Sequence, residues 1–144
     1  MNIALTREVK TPLISSDGSA GIDFFVPYSY EEKVVKSLQS ILIPSGVVAH
    51  IPKDHVLIAF NKSGISTKHG LIVGACVVDS DYQGEIHLHV INTSHEDYVV
   101  KPGQKLVQFV LLPYVKPAIK VVDESQLFAK KTARAEKGFG STGH

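Results

Sequence analysis

Asp79 and Asp81 stand two positions apart and run directly into Tyr82 and Gln83-Gly84. In an extended segment residues i and i+2 share a face, so the two carboxylates are expected to point the same way. The flanking residues, Gly74 to Val78 before and Glu85 to Val90 after, are apolar or alternating, and the whole stretch reads as a β-hairpin turning at Gln83-Gly84. Backbone groups near its open end offer a planar polar ligand what a sheet edge would, which makes a hairpin with acids at its mouth a pocket candidate. Taken alone, the same two acids equally suit a solvated turn. His87 and His89 on the return arm share a face by the same argument, and two imidazoles without further ligands are either half a metal site or two polar strand positions.

Short β-branched runs separated by Pro and Gly supply the frame for these groups: Asn2–Arg7, Ile22–Val26, Lys33–Ile43, Val47–Ile51, His55–Phe60, Leu71–Val78, Glu85–Asn92, Lys105–Val115 and Ile119–Val122. Many short strands at this spacing predict an all-β sandwich or barrel. Short helices are expected only near Ser63–His69 and Glu124–Lys130. The 144 residues fit one domain, and a chain of this size buries roughly 68% of its extended surface. The expected organisation is a β domain over residues 1–128 and a separate arm over 129–144.

From Ala129 the chain turns basic and then Gly-rich, ending Lys137-Gly138-Phe139-Gly140-Ser141-Thr142-Gly143. Such a composition has little apolar surface to pin it, so by itself it reads as a disordered, flexible terminus. Small residues also let backbone N–H groups approach an anion, as a phosphate-covering lid requires.

Fifteen Lys and Arg against fourteen Asp and Glu give a net charge of +1, which argues against a broad basic face for nucleic acid. A single cysteine, Cys76, excludes an intrachain disulfide and a cysteine zinc cluster, and points to a reducing compartment. No apolar run approaches the ~20 residues of a membrane span, so the expectation is a soluble cytoplasmic protein without membrane or nucleic-acid partners.

Five stretches, in order, resemble the five motifs of the trimeric dUTPases: Ser19 to Phe24, Asn61 to Ser66, Val77 to Glu85, Pro102 to Phe109, and Arg134 to Gly143. The resemblance implies the family's β-barrel or jelly-roll (β-clip) fold with a flexible Gly-rich C-terminal arm. It also implies Mg²⁺-dependent hydrolysis of dUTP to dUMP and pyrophosphate at sites between the subunits of a homotrimer, which limits uracil in DNA and supplies dUMP for dTMP synthesis. Asp79 matches the aspartate that deprotonates the water attacking the α-phosphorus, and Gln108 the glutamine that helps to position it. An ionised carboxylate suits that role because it only accepts hydrogen bonds.

Tyr82 matches the tyrosine packed under the deoxyribose. The strands on either side, with Cys76, Val77, Val78 and His87, resemble the uracil slot, where backbone groups pair with the base edge and leave no room for a 5-methyl group. Ser63 matches a phosphate-contacting serine, with Gly64 leaving the backbone open beside it. Lys62 stands where the family usually has Arg, keeping the charge and losing the two-pronged grip. Asp23 matches the aspartate that supports Mg²⁺ through water, consistent with an ion that keeps its waters and takes phosphate ligands. In the tail, Arg134 matches the residue that reaches the γ-phosphate, Phe139 the aromatic that closes over uracil, and Gly140, Ser141 and Thr142 the phosphate-contacting group. Cys76, Ala135 and Lys137 depart from the family, which commonly has Gly at those places.

Three other readings compete. dCTP deaminase shares the fold but needs a catalytic Glu where His89 stands. A metal-binding module would use His87 and His89. A non-catalytic dUTPase-like regulator would not need Asp79, Gln108 and Arg134 intact.

Overall fold

A computed structural model of the chain describes residues 1–128 together with Lys130, Thr132 and Ala135. Its regular structure is almost entirely antiparallel β-strand. β1 (Asn2–Leu5) pairs with β6 (Val47–His50). A five-stranded sheet runs in the order β2 (Leu13–Ile14), β3 (Ile22–Phe24), β12 (Val107–Pro113), β7 (His55–Asn61) and β9 (Val77–Val78). A three-stranded sheet places β10 (His87–Asn92) between β5 (Ser40–Pro44) and β8 (Leu71–Val73), and β4 (Lys33–Val35) pairs with β11 (Tyr98–Val100).

Alternation decides which side chains go inward. On β10, Leu88 and Val90 are buried while His87 is exposed and His89 half-buried, and on β12 Val107 and Phe109 are buried on either side of the partly exposed Gln108. Phe109 stacks against Phe24 of the neighbouring strand, ring centroids 4.5 Å apart and tilted by 50°, and each fully buried ring or Leu contributes about 1.5–3 kcal/mol. Ile43, Leu57, Leu71 and Ile86 complete the shared core. Asn92, fully buried, is satisfied there: its amide donates to the carbonyls of Val35 and Glu96, and its oxygen accepts from the amide and hydroxyl of Ser94.

α1 (Ser63–His69) forms where the sequence predicts it and stops at Gly70, whose left-handed backbone (φ 64°) lets its N–H reach the carbonyl of Ser66. A short 3₁₀ turn occupies Glu124–Gln126, inside the second predicted helical stretch. Among the described residues no helix is long and apolar enough to cross a membrane.

Five expectations change. The run Lys33–Ile43 is two strands, split at the exposed Leu38, whose positive φ of 60° turns the chain. Leu71–Val78 is likewise broken at Gly74, and β2 and β11 form where no strand was predicted. Ile119–Val122 lies outside any strand ladder of the described chain. The largest correction concerns the hairpin: β9 pairs with β7 and β10 with β5 and β8, so the two arms enter different sheets instead of each other. The turn closes at Asp79–Tyr82, where the Tyr82 N–H reaches the Asp79 carbonyl at 3.2 Å, and not at Gln83-Gly84. Ile86 explains the divergence. It is buried, and its backbone exchanges bonds with Val47 and Ser45, which draws the return arm into the second sheet.

Candidate active site

The loop between β9 and β10 spreads over a cavity of about 200 Å³. Cys76, Val77, Val78, Asp79, Tyr82 and His87 line it together, and Ala75, Leu42, Ile86 and Phe109 complete the wall. One carbonyl sets two of these side chains: Glu85 O accepts the Tyr82 hydroxyl and the His87 Nδ1–H, each at 2.9 Å. Gly84 leaves room beside them, since a Cβ there would lie 2.5 Å from the Tyr82 hydroxyl oxygen and push the folded-back ring aside.

The Glu85 carboxylate anchors the loop from below. It accepts Arg7 Nε at 2.7 Å, a second Arg7 nitrogen at 3.0 Å and the Gly46 N–H at 2.6 Å. The Arg7 hydrogen bond, helped by Gly46 and working against burial, holds Glu85 below the usual carboxylate range. Asp79 itself is exposed, and among the described residues no cation pairs with it.

A second cluster forms where β7 runs into α1. Lys62 Nζ pairs with Asp23 Oδ1, while Lys105 Nζ and the Ser15 hydroxyl each donate to Asp23 Oδ2 at 2.9 Å. Asp23 is only 3% exposed. Burial pushes its carboxyl upward, but Lys62, Lys105 and Ser15 outweigh that and hold it below the usual range. Ser63 and Gly64 are exposed on the first turn of the helix, and a Cβ on Gly64 would meet nothing within 4 Å. A groove of about 330 Å³ here is lined by Lys62, Gly64, Ile65, Lys68, His69 and Lys105. Gln108, paired across the ladder with Asp23, donates Nε2–H to the Asn61 carbonyl at 2.8 Å. Its Oε1 lies so close to Gly21 that a Cβ there would sit 2.2 Å away.

One cavity thus gathers Asp79, Tyr82, Cys76, Val77, Val78 and His87, while Lys62, Ser63, Gly64, Gln108 and Asp23 collect elsewhere. β3 and β9 lie three strand steps apart in the sheet, about 14 Å at the usual spacing. Arg134, Phe139, Gly140 and Ser141 lie outside the described residues. The sequence reading passed over Glu85, Arg7, Asn61, Gly21 and Ala75 as contributors to site geometry, because each acts through long-range hydrogen bonds or close approaches that leave no local pattern.

Among the described residues no group of three or more His, Cys, Asp or Glu is placed to hold a metal. Asp23 has both oxygens taken by ammonium and hydroxyl donors, so the donor set suits a cation carried by phosphate oxygens and water, not a protein cage. His87 and His89 each engage the backbone through Nδ1, at Glu85 and Ala75 respectively, and among the described residues no third ligand joins them.

The chain matches the dUTPase family model over residues 7–143. It is 37% identical over 139 residues to the deoxyuridine 5'-triphosphate nucleotidohydrolase of Legionella pneumophila (strain Paris), covering 94% of this chain and 88% of that protein. In fold it resembles the dUTPase of Staphylococcus bacteriophage 80alpha solved with dUPNHPP, with a TM-score of 0.86 at 23% identity over 99% of this chain and 98% of that one. A mutant dUTPase from Staphylococcus aureus phage phi11, described with a structural Mg(II) ion, gives a TM-score of 0.76 at 23% identity over 85% and 96%. These likenesses assign the all-β architecture to the β-clip or jelly-roll fold. The sequence match over nearly the whole chain goes further than fold, and the chain belongs to the dUTPase family.

Proposed function

We infer that the chain hydrolyses dUTP to dUMP and pyrophosphate. The observation that carries this is the cavity at the β9–β10 loop, which brings an exposed carboxylate, a fixed tyrosine and a strand edge together in the segment that matches the family. Asp79 accepts a proton from water, the resulting oxygen attacks the α-phosphorus, and pyrophosphate leaves with the electron pair of the broken anhydride. Tyr82, folded back onto Glu85, is a flat floor for the deoxyribose. Cys76, Val77, Val78 and His87 form the walls that receive uracil, Cys76 through its backbone.

Lys62, Ser63 and Gly64 serve the phosphate chain, and Gln108 orients the attacking water. Mg²⁺, when bound with the triphosphate, neutralises phosphate charge. Asp23 bears on it only by holding Lys62 and Lys105 in place, or through a water admitted when Lys62 lets go. Residues 129–144 supply Arg134 to the γ-phosphate, Phe139 to the base and Gly140 and Ser141 to the phosphates.

The acting unit is a homotrimer. Two observations support it: the two halves of the site lie apart within one chain, and the segment after β12 exposes Val115, Ile119 and Val121, the last at 93%. The exposed free thiol of Cys76 suits a reducing compartment such as the cytoplasm.

The test is pyrophosphate release from dUTP, dTTP, dCTP and UTP with and without Mg²⁺. Strong preference for dUTP with Mg²⁺ is expected, and equal rates on all four would overturn the reading. Removing residues 129–144 should leave the β domain folded with turnover collapsed, and light scattering of the full chain should give three times 15.7 kDa.

A further inference from the structure

Ala75 and Cys76 line one wall of the Asp79 cavity, yet the connection Gly74-Ala75-Cys76 belongs to no strand and owes its shape to neighbours on two sides. On one side the Cys76 carbonyl accepts the Ala59 N–H at 2.8 Å. On the other, a single residue takes two consecutive amides: the His89 carbonyl accepts the Gly74 N–H at 3.0 Å, and His89 Nδ1 accepts the Ala75 N–H at 2.8 Å. A backbone N–H only donates, so Nδ1 carries the lone pair and the ring proton is on Nε2. The imidazole packs against Gly74, where a Cβ would fall 2.2 Å from Nδ1. The glycine and the histidine therefore fit as a pair.

We propose that His89 is a positioning and specificity residue: by accepting the Ala75 N–H it fixes the 74–76 wall of the cavity and sets how closely that wall meets the base. This rests on the reading of the cavity as a uracil slot. Rejection of a 5-methyl group depends on the rigidity of the wall, and losing the acceptor hands the exposed Ala75 N–H to water and removes one of the ties that hold the segment in place.

The experiment compares full-length wild type with His89→Leu, His89→Asn and His89→Gln in steady-state hydrolysis of dUTP and dTTP, with melting temperature alongside. The Asn oxygen lies as many bonds from the backbone as Nδ1 does, whereas the Gln oxygen is one bond farther. His89→Leu and His89→Gln should raise KM for dUTP by up to about tenfold, the upper end of what one net intramolecular hydrogen bond contributes. Their kcat should stay nearly unchanged, and dTTP should gain on dUTP in kcat/KM. His89→Asn should restore most of both.

A His89→Leu enzyme with wild-type KM and dTTP rejection would overturn the proposal, as would Asn and Gln variants that behave alike. If Leu does not fold, the Asn and Gln pair decides alone. A wild type that fails to hydrolyse dUTP sinks the functional reading itself, a result separable from an active wild type whose variants match it.

Discussion

The β9–β10 loop and the Asp23 cluster lie in the same sheet system and both hold charged residues that match family motifs, yet they are built on opposite plans. In the loop the reactive carboxylate, Asp79, is exposed and unclaimed by any described cation, and the surrounding order comes from uncharged acceptors: Glu85 O for Tyr82 and His87, the His89 carbonyl for Gly74 and His89 Nδ1 for Ala75. In the cluster the carboxylate is buried and its charge is spent on Lys62 and Lys105. A charge left free in water costs nothing to keep and remains available to a substrate. A charge taken into the protein must be neutralised there, and then it serves as a strut. The family resemblance treats Asp23 and Asp79 alike as site residues, and the structure separates them by burial.

The sharpest way to break that contrast is Asp79→Asn. Turnover of dUTP should fall about 10²–10⁴-fold, the scale of general-base catalysis, with the melting temperature unchanged because the side chain is exposed. Near-normal turnover would remove Asp79 from the chemistry, and a large loss of stability would show the loop to be structural.

Asp23→Asn is the converse test. It leaves Lys62 without its partner in a site where only 18% of that side chain is exposed, so chemical denaturation should show a loss of about 2–3 kcal/mol, reduced from the fully buried case by the water that reaches Lys105. The pH dependence has a definite sign. The folded-state pKa of Asp23 is depressed, so its contribution is present above the unfolded-chain value of about 3.9. It is lost as pH falls from there through the depressed value. Denaturation midpoints between pH 5 and 2 should fall less steeply in Asp23→Asn than in wild type. Parallel acid limbs would assign the effect to Glu85, the other depressed carboxyl.

Gly21→Ala tests whether Gln108 belongs with the chemistry. The new methyl would collide with the far end of a flexible side chain, so stability should hold while the displaced carboxamide lowers kcat, by up to the ~10²-fold that an ångström of misplacement costs. An unchanged kcat would leave Gln108 an ordinary strand residue. The smallest effect is expected from Arg7→Ala, which removes the two-pronged hold on Glu85 at an exposed position. KM for dUTP should rise slightly with kcat unaltered.

Local grammar in the chain located several elements, although it misplaced the local turns at Leu38 and Asp79–Tyr82. The alternation of His87-Leu88-His89-Val90 defines a half-buried strand, the short helix over Ser63–His69 forms where it is expected, and the order of five motifs identifies the family. What the sequence could not decide is which segments meet. The apolar arms of Val77-Val78 and Ile86-Leu88 look like partners because they are adjacent, and only the competition among strands for two sheets sends them to β7 and to β5 and β8. Asp23 finds Lys62 and Lys105 from 39 and 82 residues away. Such pairings are set by which burials can be satisfied at once, a property of the packed whole that no window of sequence carries.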